Sequence, residues 1–221
     1  MEHENSRKRP KVIFVDAVGT MFGVRGSIGE VYGAIARRFG VEVSPEDLQK
    51  AFYESFKASP PPVFPGTEPQ KIPDCESDWW RAIALSTFHK AGVLEKFSNF
   101  ASFFDELYNH FSTPEPWFVY SDVPASLEKW RQMGIELGVV SNFDSRIYSV
   151  LQSLNLIQYF TSVTICSEVG AAKPDPKIFA VALQKHQAKA EDVWHIGDSH
   201  KEDYQGAKAA GLKGILLKRT E

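Results

Sequence analysis

The chain has 221 residues, of which 43% are hydrophobic and 24% charged, with a formal net charge of −3. A slight acidic excess argues against general nucleic-acid binding, which needs a basic surface, and 13% aromatic residues supply too much surface to bury for a disordered chain. No apolar run reaches the ~20 residues of a membrane helix, the polar N-terminus lacks the apolar centre of a secretory signal, and two cysteines, Cys75 and Cys166, are too few for a disulfide framework, so a cytoplasmic setting is expected.

Residues 1–10, which include part of the basic cluster Arg7–Lys11, read as a disordered tail. Val12-Ile13-Phe14-Val15 is a short apolar run stopping at Asp16, the pattern of a strand covered on both faces. Similar runs recur at Ile135–Val140, Val163–Cys166, Val193–Ile196 and Gly214–Leu217. Helical patterns alternate with them, at Pro124–Met133, Asp144–Leu154, from Asp175-Pro176 onward, and Tyr204–Ala210. Such alternation specifies an α/β fold with a parallel sheet.

Between the first strand and Pro124 the strand runs nearly vanish. Ser44-Pro45-Glu46-Asp47 caps one helix, a second covers about 78–90, and Phe97, Phe100, Phe104, Tyr108 and Phe111 stripe a third. The segment Pro60-Pro61-Pro62 reads as a stiff loop. The plan is therefore a core formed by 11–21 and 119–221, interrupted by a helical insertion at 22–118. Trp79 and Trp80 are expected either to line the cleft or, the favoured alternative, to fill the core of that insertion, and Arg25 to meet either a substrate anion or solvent.

In an open parallel sheet, ligands bind beyond the carboxyl ends of the strands. Asp16, Ser141-Asn142, Lys173 and Asp198, with Glu202 and Asp203 close by, all follow predicted strands. Clustered carboxylates are costly without a neutralising cation. Oxygen donors of this kind suit Mg²⁺ together with phosphate, and a lysine and a hydroxyl suit phosphate oxygens. His195 and Cys166 read as packed residues, and His200 as either an exposed loop residue or a neighbour of the substrate.

Four ordered motifs, Asp16-Ala-Val-Gly-Thr20, Ser141-Asn142, Lys173-Pro-Asp-Pro-Lys-Ile-Phe179 and Gly197-Asp198-Ser-His-Lys-Glu-Asp203, resemble those of the haloacid dehalogenase superfamily. The resemblance implies a Rossmann-like core with an inserted helical cap. It implies that Asp16 is a nucleophile forming an aspartyl-phosphate and that Lys173 stabilises it. Thr20, Ser141, Asn142 and Lys173 would bind phosphate, Thr20 by supporting the nucleophile loop. Asp16, the Val18 carbonyl, Asp198 and Asp203 would hold Mg²⁺, and the substrate would be a small phosphorylated metabolite. One position departs from the pattern. Phosphatases of the superfamily typically carry a second Asp where this chain has Val18, and that Asp moves protons. Three readings follow: a phosphohydrolase restricted to good leaving groups, a catalytically silent member serving a binding or protein-interaction role, and a 2-haloacid dehalogenase. The presence of Asp198 and Asp203 argues against the third.

Overall fold

The computed structural model describes residues 9–219. Residues 1–8 of the expected tail lie outside them. Pro10 is not tail-like: it is buried, and the Arg9 guanidinium donates to the Met133 carbonyl at 3.5 Å.

Strand β1 (Val12–Val15) is buried throughout and lies at the centre of a five-stranded sheet. Beside it run β4 (Glu136–Ser141) and β6 (Val193–Gly197), flanked in turn by β5 (Ser162–Ile165) and β7 (Lys213–Leu216), and every pairing is parallel. The chain steps from β1 to β4 on one side and to β6 on the other, which opens a crevice at the carboxyl ends of these three strands. Alternate side chains of β1 feed two layers. Ile13 and Val15 join one apolar cluster, while Val12 and Phe14 join another with Ile178 and Phe179.

A second sheet has two antiparallel strands, β2 (Phe22–Val24) and β3 (Trp117–Val119), which the sequence patterns did not reveal. Gly23 lets Phe118 lie across the ribbon: a Cβ there would sit 2.8 Å from its ring carbons and force the ring to move. Between them lie α1 (Ile28–Arg38), α2 (Pro45–Ala58), α3 (Ile72–Lys90) and α4 (Phe100–His110). Helix α1 was not anticipated, although Ser27 and Glu30 form a reciprocal capping box at its start. Helix α3 begins earlier than expected because Pro73 suits a first turn. Helix α4 begins after Phe97, where the Asn99 side chain caps it. None of these helices adds a strand to the main sheet.

The remaining helices are α5 (Val123–Gln132), α6 (Ile147–Ser153), α7 (Cys166–Val169), α8 (Pro176–Lys185) and α9 (Gly206–Ala209). Two differ from expectation. Helix α6 starts after Arg146, because Asp144 and Arg146 bond to each other instead. The predicted helix at 204–210 is a π-helical stretch, His200–Gln205, leading into α9. Among the described residues no helix is long and apolar enough to cross a membrane.

Candidate active site

The main-chain N–H of Asp16 donates to the Ile196 carbonyl at 2.9 Å, extending the ladder one residue beyond β1 and fixing the carboxylate at the crevice. The chain then reverses through Gly19, at φ +81°, and a Cβ there would lie 2.5 Å from Asp198 Oδ2. Only glycine lets the loop turn this way while resting against that carboxylate. The Thr20 hydroxyl stands 3.4 Å from both Asp16 Oδ2 and Asp198 Oδ1. It is buried behind the two carboxylates and does not belong to the cleft wall.

Lys173 is 4% exposed, and its Nζ donates to Asp16 Oδ1 and Asp203 Oδ1, each at 2.6 Å. Burial disfavours its charge, but the two carboxylates more than offset this and hold the ammonium well above its ordinary pKa. Asp203 also accepts from His195 Nε2 at 2.8 Å and from the Ser199 N–H at 2.9 Å. Burial acts against its charge too, yet the His195 hydrogen bond and the Lys173 charge keep the carboxyl far below the usual range. His195 is thus both the packed residue expected and a donor that orients Asp203. Burial lowers its own pKa.

Asp198 keeps an exposed edge toward the cleft. Partial burial, then the charges of Asp16 and Asp203, raise its carboxyl above the ordinary value. Asp16, Asp198 and Asp203 each offer an oxygen within 4.8 Å of the others. Three carboxylates face one ammonium, so the cluster is short of positive charge, and hard oxygen donors at this spacing fit a cation such as Mg²⁺. Ser141 is buried at the end of β4 and lines the same cleft. Asn142 also reaches the wall, but its amide is largely committed to Lys173. Its Oδ1 accepts from the Lys173 N–H at 2.7 Å and its Nδ2 donates to the Lys173 carbonyl at 3.0 Å. The Val18 side chain is 37% exposed on the cleft wall.

Above this cluster the cleft widens into a cavity of about 1080 Å³. Trp79 and Trp80 stand on its wall and also pack against the apolar core, so both alternatives hold in part; their indole N–H groups find partners there. Trp79 donates to the Pro60 carbonyl at 2.9 Å and Trp80 to Asp144 Oδ2 at 2.7 Å. Arg25 is exposed and off the wall. His200 is exposed and stacks on Tyr204. Cys166 is buried, its thiol pushed up to about 12 by desolvation, and so is no nucleophile.

One group was missed by sequence reasoning. Arg146 forks onto Asp144 at 2.7 and 2.8 Å, donates to the Tyr108 carbonyl at 2.9 Å and lies 3.9 Å from the Tyr108 ring centre. Glu76 of α3, fully buried, accepts from both the N–H and hydroxyl of Ser145 in the same loop. The signal was present in Asp144-Ser145-Arg146 directly after the Ser141-Asn142 motif, but a helix start explained those residues equally well.

A family model for haloacid dehalogenase-like hydrolases matches residues 10–211. Haloacid dehalogenase-like hydrolase domain-containing protein 3 of Danio rerio is 33% identical over 211 residues, 93% of this chain and 84% of that protein. Among solved structures, a HAD phosphatase from Thermococcus onnurineus is similar with a TM-score of 0.64 at 23% identity, covering 95% of this chain and 86% of that one. A 2-haloacid dehalogenase from Pseudomonas syringae pv. Tomato is similar with a TM-score of 0.62 at 22% identity, covering 94% and 86%. Two chemistries thus share the fold, and the choice between them rests on the side chains of the site.

Proposed function

The chain belongs to the haloacid dehalogenase-like hydrolase family, and we propose that it is a magnesium-dependent phosphohydrolase of small phosphorylated molecules. It would act through an aspartyl-phosphate on Asp16 and be confined to good leaving groups. The observation that carries this reading is Lys173 bridging Asp16 and Asp203 within a cluster that is still short of positive charge. We read 11–21 and 119–221 as the part that bears the chemistry, 22–118 as a cap over it, and the cytoplasm as its location.

Asp16, Asp198 and Asp203, with the Val18 carbonyl, would hold the ion. When bound, Mg²⁺ would supply charge neutralisation to the phosphate oxygens. Lys173 binds Asp16 Oδ1, which leaves Oδ2 with only the long Thr20 contact and available to attack phosphorus. As that O–P bond forms, the bond to the leaving oxygen breaks and the leaving group takes the electron pair. Ser141 donates to a phosphate oxygen, while Asn142 acts indirectly by fixing the Lys173 backbone. Water then attacks phosphorus, the Asp16 O–P bond breaks with its electron pair returning to the carboxylate, and the water's proton leaves with the phosphate product. Val18 can neither protonate the leaving group nor accept the proton of that water. The dehalogenase reading is disfavoured by charge. A haloacid carboxylate needs an unpaired cation, yet each cation on the described wall, Lys173, Arg146 and Arg219, already pairs with an aspartate.

The test is turnover of an aryl phosphate with and without Mg²⁺, beside an Asp16→Asn control, with intact mass after incubation with acetyl phosphate. Magnesium-dependent turnover and a phosphate adduct, both lost in the control, are expected. If neither appears while calorimetry still shows Mg²⁺ binding, the reading falls and a silent binding role takes its place.

A further inference from the structure

The cavity wall is divided by charge. Every charged residue on it comes from outside 22–118: Asp16, Lys173, Asp198, Glu202 and Asp203 form the floor, and Asp144–Arg146 and Arg219 the sides. The described residues that 22–118 contributes to the wall include no Asp, Glu, Lys, Arg or His. Its polar side chains there are all uncharged: Ser27, Gln49 and the tyrosines Tyr32, Tyr53 and Tyr108, beside the Trp79 and Trp80 indoles. Ser27 Oγ accepts from the Glu30 N–H at 3.1 Å and Gln49 Oε1 from the Gly29 N–H at 2.7 Å. Most of the rest is aromatic. Phe56 stacks on Trp80 with ring centres 5.9 Å apart, and Trp79 meets Trp80 edge-on at 4.8 Å. Phe56 is 43% exposed and belongs to a run of rings, stacked on Phe52 at 5.7 Å as well as on Trp80.

A phosphate on the floor leaves whatever it esterifies inside this cavity. An anionic leaving group would meet no free cation there, and burying an unpaired carboxylate is costly. A two- or three-carbon group would leave most of about 1080 Å³ unfilled, in a range that otherwise suits drug-sized ligands. A flat aromatic group would pack against this run of rings without needing a charge.

We propose that the substrates recognised are phosphate monoesters of a bulky, uncharged aromatic alcohol. This rests on the phosphohydrolase reading, and it also accords with Val18, since an aryloxide of low pKa departs without a proton donor.

Calorimetry with stable phosphonates tests recognition without turnover. In the presence of Mg²⁺, (2-naphthylmethyl)phosphonate should bind at least tenfold tighter than methylphosphonate, and phosphonoacetate, which adds a carboxylate, no tighter than methylphosphonate. Phe56→Ala should reduce the aryl-to-methyl preference about fivefold, while thermal unfolding shows the variant folded. A parallel assay compares hydrolysis of 2-naphthyl phosphate, acetyl phosphate and phosphoglycolate. Equal binding of all three phosphonates, or preference for phosphonoacetate, would overturn the proposal, and hydrolysis of acetyl phosphate in that case would leave the phosphohydrolase reading standing. Aryl preference with none of the three esters hydrolysed would sustain the recognition of aryl phosphates, as ligands, and remove the hydrolytic reading instead.

Discussion

Val18→Asp should restore a proton carrier at the position where the sequence departs from the phosphatase pattern. The Val18 side chain is 37% exposed and already on the cleft wall, so a carboxylate of similar size displaces no core contact. Surface changes of this kind alter stability by less than about 1 kcal/mol. The new group stands near Asp16 and Asp198. The same burial and like charge that raise Asp198 would raise it as well, toward the range useful to an acid. General acid–base catalysis contributes roughly 10²–10⁴-fold. A loop shaped around valine should realise the lower part of that, at least about tenfold, or ~1.4 kcal/mol of barrier. The assay is steady-state turnover across aryl phosphates whose leaving-group pKa values span several units. Wild-type rates should fall steeply as the leaving group becomes more basic. The variant should flatten that slope, with its largest gain on phenyl phosphate and its smallest on 4-nitrophenyl phosphate. An unchanged slope and rate, with Mg²⁺ binding intact, would show that proton transfer at position 18 is not what limits the protein.

Three further outcomes follow from the site. Gly19→Ala should weaken Mg²⁺ binding at least tenfold by calorimetry, because its Cβ meets Asp198; Gly134→Ala, equally left-handed at φ +72° but facing open space, should cost only ~1 kcal/mol of stability and leave binding unchanged. Lys173→Met should abolish turnover and, in metal-free urea denaturation, cost about 3–5 kcal/mol by leaving Asp16 and Asp203 buried without a cation, with added Mg²⁺ recovering part of the loss. For Glu76, burial raises the folded-state pKa even though Ser145 hydrogen bonds pull it down. Its ionisation therefore opposes folding, and the chain loses stability as pH rises above the unfolded glutamate value of about 4.3; denaturation curves should show Glu76→Gln gaining relative to wild type between about pH 4 and 7, and a pH-independent difference would refute this.

The parallel sheet was legible because β1 and most of β4 are buried on both faces, and these strands and β6, half-buried on one side, read as short apolar stretches ending at chemical residues. The β2–β3 ribbon was not, since each strand has three residues and its pairing spans nearly a hundred positions, beyond any local pattern. Asp16, Lys173, Asp198 and Asp203 could be placed together because the topology puts successive strand ends on one rim. The engagement of Asn142 with Lys173 could not, since it depends on a side-chain direction that no spacing encodes. For Trp79 and Trp80 the core was favoured over the cleft because aromatic residues usually pack, and they do pack against it. What brings them to the wall are the Pro60 carbonyl and Asp144, partners that are distant in sequence. The loop 144–146 shows the same difficulty, as Asp144 is an equally good helix cap and partner for Arg146.

The β2–β3 ribbon makes 22–118 look detachable, since both crossings of the chain pass side by side. The packing says otherwise. Ile13 and Val15 of the central strand share a single apolar cluster with Ile83, Phe88, Phe103 and Phe104 of the helices. Segments that share a buried cluster lose it together, so heating should melt the two parts in one calorimetric transition whose van't Hoff and calorimetric enthalpies agree. Excising residues 25–116 and joining the ribbon with a short turn would strip Ile83, Phe88, Phe103 and Phe104 from that cluster, and the remainder should be less stable than the whole. An element that topology treats as an accessory is, in its cooperativity, part of the core it seems merely to cover.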